Sequence, residues 1–164
     1  MTDMSVNEVL LKMLRRPEET LEDINHLMKV YTFAGCIARG EGLSDEEVRT
    51  TELSAILHDI SCPLCRKLYG NTHWSYQEAH GETLIYDFFQ GEQMPENEVK
   101  EIAYIVSHHH TYSAVNSTPF QILYEADFLV NAGEQHYEKT AVLQMRNEAF
   151  RTKTGIELLH TIYL

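Results

Sequence analysis

Histidine and aspartate residues recur in separate segments of this 164-residue chain, several of them embedded in apolar sequence. They are His26, the adjacent pair His58–Asp59, His80, the run His108–His109–His110, and Asp127. Imidazole and carboxylate are the ligand types of Mn, Fe, Co, Ni and Zn ions. A single local cluster would need only a solvated tract. A set spread from residue 26 to residue 127 constrains the fold, because the chain must gather it around a common point.

Asp127 is the most constraining member. Leu123 and Tyr124 lie four and three residues before it and Val130 three after, so on a helix its neighbours face inward. A carboxylate on a core face is costly unless it is paired with a cation or bound to a metal. A lysine or arginine from another helix would satisfy it, and so would an ion shared with the histidines; the wealth of histidine favours the ion.

The apolar periodicity is helical throughout. Val9, Met13 and Leu14 mark a short first helix ending at Arg15–Arg16–Pro17, and Pro17 suits the first turn of the next. That second helix carries Leu21, Ile24, Leu27, Met28, Tyr31, Ala34 and Ala38 on one stripe, with Cys36 expected in the core. Ser44 and Glu47 have capping-box spacing and start a third helix with Leu53, Ile56 and Leu57 inward, ending at His58–Asp59–Ile60. Residues 61–72 read as irregular, with room for one helical turn around Arg66–Leu68. Further helices are expected over 75–89, 96–109, from Thr118–Pro119 onward, over 137–150, and after Thr154. With no strand run, repeat or linker, the expectation is an all-α fold: one compact helical bundle over residues 1–164.

Composition narrows the partners. The net charge of −12 disfavours a nucleic-acid polymer, since no basic stripe offsets the repulsion. It does not exclude a small anionic substrate, because bound divalent cations would reverse the potential inside a cleft. No stretch approaches the roughly 20 apolar residues of a membrane span, and the start Met1–Thr2–Asp3 has no signal-like pattern, so a cytoplasmic location is expected. Cys62 and Cys65 have redox-motif spacing, but without a thioredoxin-like strand pattern they read as structural thiols.

The words around these residues are similar to those of a known family. Ala55–Ile56–Leu57–His58–Asp59–Ile60 and Glu125–Ala126–Asp127–Phe128–Leu129, with His26 upstream, resemble the HD superfamily of metal-dependent phosphohydrolases over about Leu21 to Asn131. The resemblance implies a first metal held by His26, His58, Asp59 and Asp127. His80–Gly81 and the segment Ser107–His108–His109–His110–Thr111–Tyr112 resemble the additional histidines of two-metal members. Matching those words favours His108, whereas helical phase favours His109, which continues the Ile102–Val106 stripe. Asp59 would bridge the two ions, and Lys29, three residues after His26, is expected to contact phosphate.

The implied activity is hydrolysis of a nucleotide or other small phosphate ester by metal-activated water, with one or two divalent ions drawn from Fe, Mn, Co, Ni and Zn. Two alternatives share the ligand set: a non-haem di-iron oxygenase, and a non-catalytic domain that binds metal or nucleotide. A homo-oligomer is compatible with every one of these readings. Departures from the pattern are also visible. Ser61–Cys62–Pro63 stands where many two-metal members have glycine and lysine, and the glycine–tyrosine–proline word of the cyclic-dinucleotide group is missing.

Overall fold

The computed structural model describes residues 2–164. Among them are nine α-helices, one short 3-10 turn and no strand. In chain order the helices are α1 (Val6–Leu14), α2 (Leu21–Gly40), α3 (Asp45–Leu57), α4 (Cys62–Tyr69), α5 (Trp74–Phe89), α6 (Glu96–His108), α7 (Thr118–Glu134), α8 (Lys139–Glu148) and α9 (Lys153–Tyr163). The all-α expectation holds.

Local chemistry sets the helix starts. Ser5, Thr20 and Ser44 each accept a hydrogen bond from the backbone three residues on, and Glu8, Asp23 and Glu47 reciprocate. Each cap of this kind contributes about 1 kcal/mol. The Thr20–Asp23 box is why α2 begins at Leu21 and not at Pro17. Ser117 caps α7, one residue ahead of the expected Thr118. The stretch expected to be irregular contains the eight-residue α4, with Pro63 in its first turn and Gly70, at φ 73°, ending it in the left-handed conformation.

The packing centres on α3. Every residue from Thr50 to Leu57 is buried, so this helix is enclosed on all sides and not only along the Leu53–Ile56–Leu57 stripe. Ala55 belongs to a core shared with Ile37, Phe120, Leu123 and Leu129, while Leu53, Ile56 and Leu57 belong to a second core with Met13, Ile85 and Ile102. Cys36 does not follow the stripe and is exposed, because Ala34, Ile37 and Ala38 take the inward positions of α2. Leu21 is exposed as well.

α3 therefore delivers its C-terminal residues, His58 and Asp59, to the seam between α2 and α7, both of which it touches. The start of α9, flanked by the basic residues Arg151 and Lys153, is closed by the protein's own carboxylates. Glu125 accepts from the Arg151 and Thr152 amides at 2.8 and 3.1 Å, and Glu41 accepts from those of Lys153 and Thr154 at 2.8 and 3.1 Å.

Candidate metal centre

Three segments converge on one point. Nε2 of His26 lies 3.1 Å from Nε2 of His58 and 3.0 Å from Oδ1 of Asp127, and Nε2 of His58 lies 3.4 Å from that same oxygen. Oδ2 of Asp59 is 3.4 Å from Nε2 of His26 and 3.3 Å from Nε2 of His58. Ligands held about 2.1 Å from one ion stand about 3.0 Å apart at right angles and about 3.4 Å apart at tetrahedral angles. The observed separations fall in that interval.

The histidine tautomers point the same way. Nδ1 of His58 donates to the Ala55 carbonyl at 2.7 Å, and Nδ1 of His109 donates to the Val106 carbonyl at 2.7 Å. Nδ1 of His26 donates to Oε2 of Glu134 at 3.0 Å. With Nδ1 protonated in each ring, the lone pair of the neutral form sits on Nε2, facing the centre. Two such lone pairs 3.1 Å apart repel unless a positive charge stands between or beside them.

A second group lies across Asp59. Its Oδ1 is 3.4 Å from Nε2 of His109, a buried atom without a hydrogen-bond partner. Asp59, His109 and His110 have ligand atoms within 4.8 Å of one another, as do His26, His58 and Asp59. Gln77 orients His110: its Nε2 donates to the Thr72 carbonyl at 2.6 Å, so its Oε1 accepts from Nε2 of His110 at 3.0 Å. That leaves the lone pair of His110 on Nδ1. The donor set thus fits divalent transition metals, and the orphaned Nε2 of His109 is the atom most in need of one.

The electrostatics agree. Burial works against charge on His58, yet the Asp59 and Asp127 carboxylates prevail and hold its pKa well above the ordinary value. His26 is raised too: burial opposes its charge, and Asp127 and Asp59 overcome it. Burial likewise opposes ionisation of Asp59 and Asp127, but the surrounding imidazoles hold both below the usual carboxylate range. His110, whose ring packs on His109 at 4.0 Å, moves the other way, down to about 4, because partial desolvation and then the neighbouring His109 charge oppose its protonation.

A cleft of about 410 Å³ opens over this centre, with Asp59, Asp127, His26 and His110 at its floor and Asp23, Arg66, Glu134 and Asn131 among its walls. Lys29 does not line it. Its ammonium is held 3.0 Å from Oε1 of Glu134 on the outer side. The cationic wall residue is Arg66, seated on Asp23 at 3.1 and 2.5 Å.

His80 and His108 do not reach the centre. Gln77 and Gly81, one turn apart, form the inward face of α5, and a side chain on Gly81 would press on the Ser107 backbone at 3.2 Å. His80 is about 100° off that face and instead meets the Tyr69 hydroxyl at 2.8 Å. His108 stacks on Tyr104 at 4.3 Å and donates to its carbonyl at 2.8 Å. The helical phase of α6, and not the matching of motif words, places the inward histidine at 109.

The HD-domain family model matches residues 23–132, from the second helix to the seventh. This chain belongs to the HD-domain family. A crystal structure of a predicted HD superfamily hydrolase from an uncultured Thermotogales bacterium has the same fold, with a TM-score of 0.60, 21% identity, and coverage of 95% of this chain and 82% of that one. Comparison with curated proteins finds no match.

Within this HD domain, sequence reasoning missed Glu134, Gln77 and Arg66 and left His110 open. Glu134 had a signal: it stands seven residues after Asp127, two helical turns along one face. Arg66 and Gln77 had none, because their approach to the cleft depends on the full extent of α4, of which the sequence suggested only a turn around Arg66–Leu68, and on the rotation of α5. The Cys62–Cys65 pair lies buried in α4, and burial pushes the Cys62 thiol far up, which disfavours the thiolate that redox exchange needs.

Proposed function

We propose that this HD-domain protein is a divalent-metal-dependent hydrolase of a small phosphate ester. The observation that carries the reading is the division of Asp59: Oδ2 turns to His26 and His58, Oδ1 to His109. A carboxylate shared in this way can hold two cations side by side. Ions bound there would supply a water of lowered pKa and charge neutralisation at phosphorus.

The chain's own groups would do the rest. Asp59, with the His26–His58–Asp127 set on one side and His109–His110 on the other, would hold the cations. Glu134, Ala55 and Val106 fix the ring orientations through Nδ1. Arg66, whose guanidinium keeps donors beyond those given to Asp23, would hold a non-bridging phosphate oxygen. This assignment replaces Lys29, whose charge is spent on Glu134. In the net reaction water adds to phosphorus, the bond from phosphorus to the ester oxygen breaks, and the departing alcohol takes up a proton.

Elemental analysis of freshly purified protein, followed by a phosphate-release panel with each candidate metal, tests the proposal. One or two ions per chain and turnover that disappears in Asp59→Asn together with the metal are expected. Undiminished phosphate release by metal-free Asp59→Asn would overturn it. So would oxygen consumption with iron in the absence of any phosphate release.

A further inference from the structure

The end of α7 presents three groups to the metal centre at helical spacing. Asp127 turns Oδ1 to His26 and His58, and Asn131, four residues on, donates to that same oxygen at 3.1 Å. Glu134, three residues further, accepts from Nδ1 of His26 at 3.0 Å. Positions i, i+4 and i+7 share one face of a helix. The setting of this stretch therefore decides how the His26 ring stands. Yet Glu134 is the final residue of α7, where helices fray and local opening costs least.

What holds this end comes from α9. The Tyr163 hydroxyl donates to the Leu129 carbonyl, and Gly133 sits beneath the same hydroxyl. A Cβ at Gly133 would stand 2.8 Å from that oxygen and 3.8 Å from the ring carbon bearing it. Leu129 and Gly133 lie about 200° and 240° around the helix from Asp127, so the contact is made behind the site. Burial raises the hydroxyl pKa, against a smaller effect of a hydrogen bond from the Gly133 backbone, and the hydroxyl remains a donor. The start of α9 is anchored too, since Glu125 of α7 takes the Arg151 and Thr152 amides. α9 is thus fastened to α7 at both ends.

We infer that Tyr163 is a positioning residue of the metal centre. Through Leu129 and Gly133 it fixes the end of α7, so that Glu134 keeps the His26 ring with Nδ1 protonated and Nε2 free for an ion. The inference rests on the metal-binding half of the proposed function and adds a residue that touches neither ion nor cleft. Lys29 does not do this work alone. It holds the other oxygen of Glu134 at 3.0 Å, but its side chain is 52% exposed, and ion pairs in that setting constrain little. Glu134 and Tyr163 both lie beyond residue 132, where the match to the HD-domain model stops.

Tyr163→Phe keeps the ring and removes only the oxygen, whereas Gly133→Ala displaces that oxygen from the α7 side. Alanine is the better helix former, so the second variant does not weaken α7 by propensity. Both should nevertheless lose manganese affinity about three- to tenfold in chelator competition, less than the loss of a direct partner of the imidazole. Glu134→Ala should lose more, and adding Tyr163→Phe to it should change nothing further, because the route is already cut. A tyrosine that only stabilises the fold would instead give losses that multiply. In metal-free protein at alkaline pH, histidine nitrogen NMR shifts read the His26 tautomer directly. One Nδ1–H form is expected in the wild type and a mixture in both single variants. Wild-type affinity and tautomer in both variants overturn the inference, as does a full additional loss on top of Glu134→Ala. Failure of the wild type to bind any metal would count against the proposed function, and the tautomer would still decide the role of Tyr163.

Discussion

Nε2 of His109 and Oδ1 of Asp59 face each other at 3.4 Å in a buried setting, and the histidine atom has no hydrogen-bond partner. A buried polar nitrogen left in this condition costs about 1–3 kcal/mol. The cost is removed if both atoms bind one cation. Replacing His109 by Gln should therefore lower the metal content by about one ion per chain, or weaken that ion's affinity roughly tenfold or more, while the helical circular dichroism is retained. Elemental analysis after gel filtration reads the result.

Glu134 joins two jobs, accepting from His26 at 3.0 Å and from Lys29 at 3.0 Å. Partners that orient a ligating imidazole typically govern metal affinity by about 10–100-fold. Glu134→Gln keeps an acceptor and should lose less than Glu134→Ala. Competition with a fluorescent chelator would rank the two. Equal affinities in both variants and the wild type would remove Glu134 from the site.

Arg66 is expected to act on substrate and not on metal. Arg66→Ala should raise KM for a phosphate ester roughly tenfold, since charge-assisted contacts are worth about 1.5–3 kcal/mol, with metal content unaltered. Steady-state kinetics on metal-saturated protein would show it.

The pH dependence follows from the shifted groups. In protein stripped of metal by a chelator, the raised His26 and His58 contribute stability that is full below their unfolded value and is lost as pH climbs through their higher folded values. The lowered Asp59 and Asp127 contribute stability present above the ordinary carboxylate range and lost as pH falls below it. Metal competes with the histidine protons, so its binding should release protons and its stabilisation should grow from about pH 6 to pH 9. Thermal melts with and without manganese across that range give the difference. A stabilisation that shrinks with rising pH would contradict the assignment.

Phe120, in the first turn of α7, is fully buried in the core and meets Tyr104 edge-on at 6.2 Å. Phe120→Ala should cost about 3–5 kcal/mol in chemical denaturation. Because α7 carries Asp127 and Glu134, metal affinity should fall in the same variant.

The set His26, His58, Asp59 and Asp127 was implied by the family resemblance; the sequence by itself determined the helical class, the capping box at Ser44 and the need of Asp127 for a cation. These follow from local hydrogen bonding, from apolar period, and from the cost of burying a carboxylate, all of which act within a few residues or on composition. Helical phase already favoured His109; only the tertiary structure decided that His110 joins it while His80 and His108 turn away, and that Arg66 and not Lys29 lines the cleft. It alone set the Tyr163 hydroxyl against Gly133. The histidine outcomes depend on the rotation of α5 and α6 about their axes, where 100° per residue separates one histidine from the next. That rotation is set by contacts such as Gly81 against Ser107, between residues that sequence periodicity cannot pair.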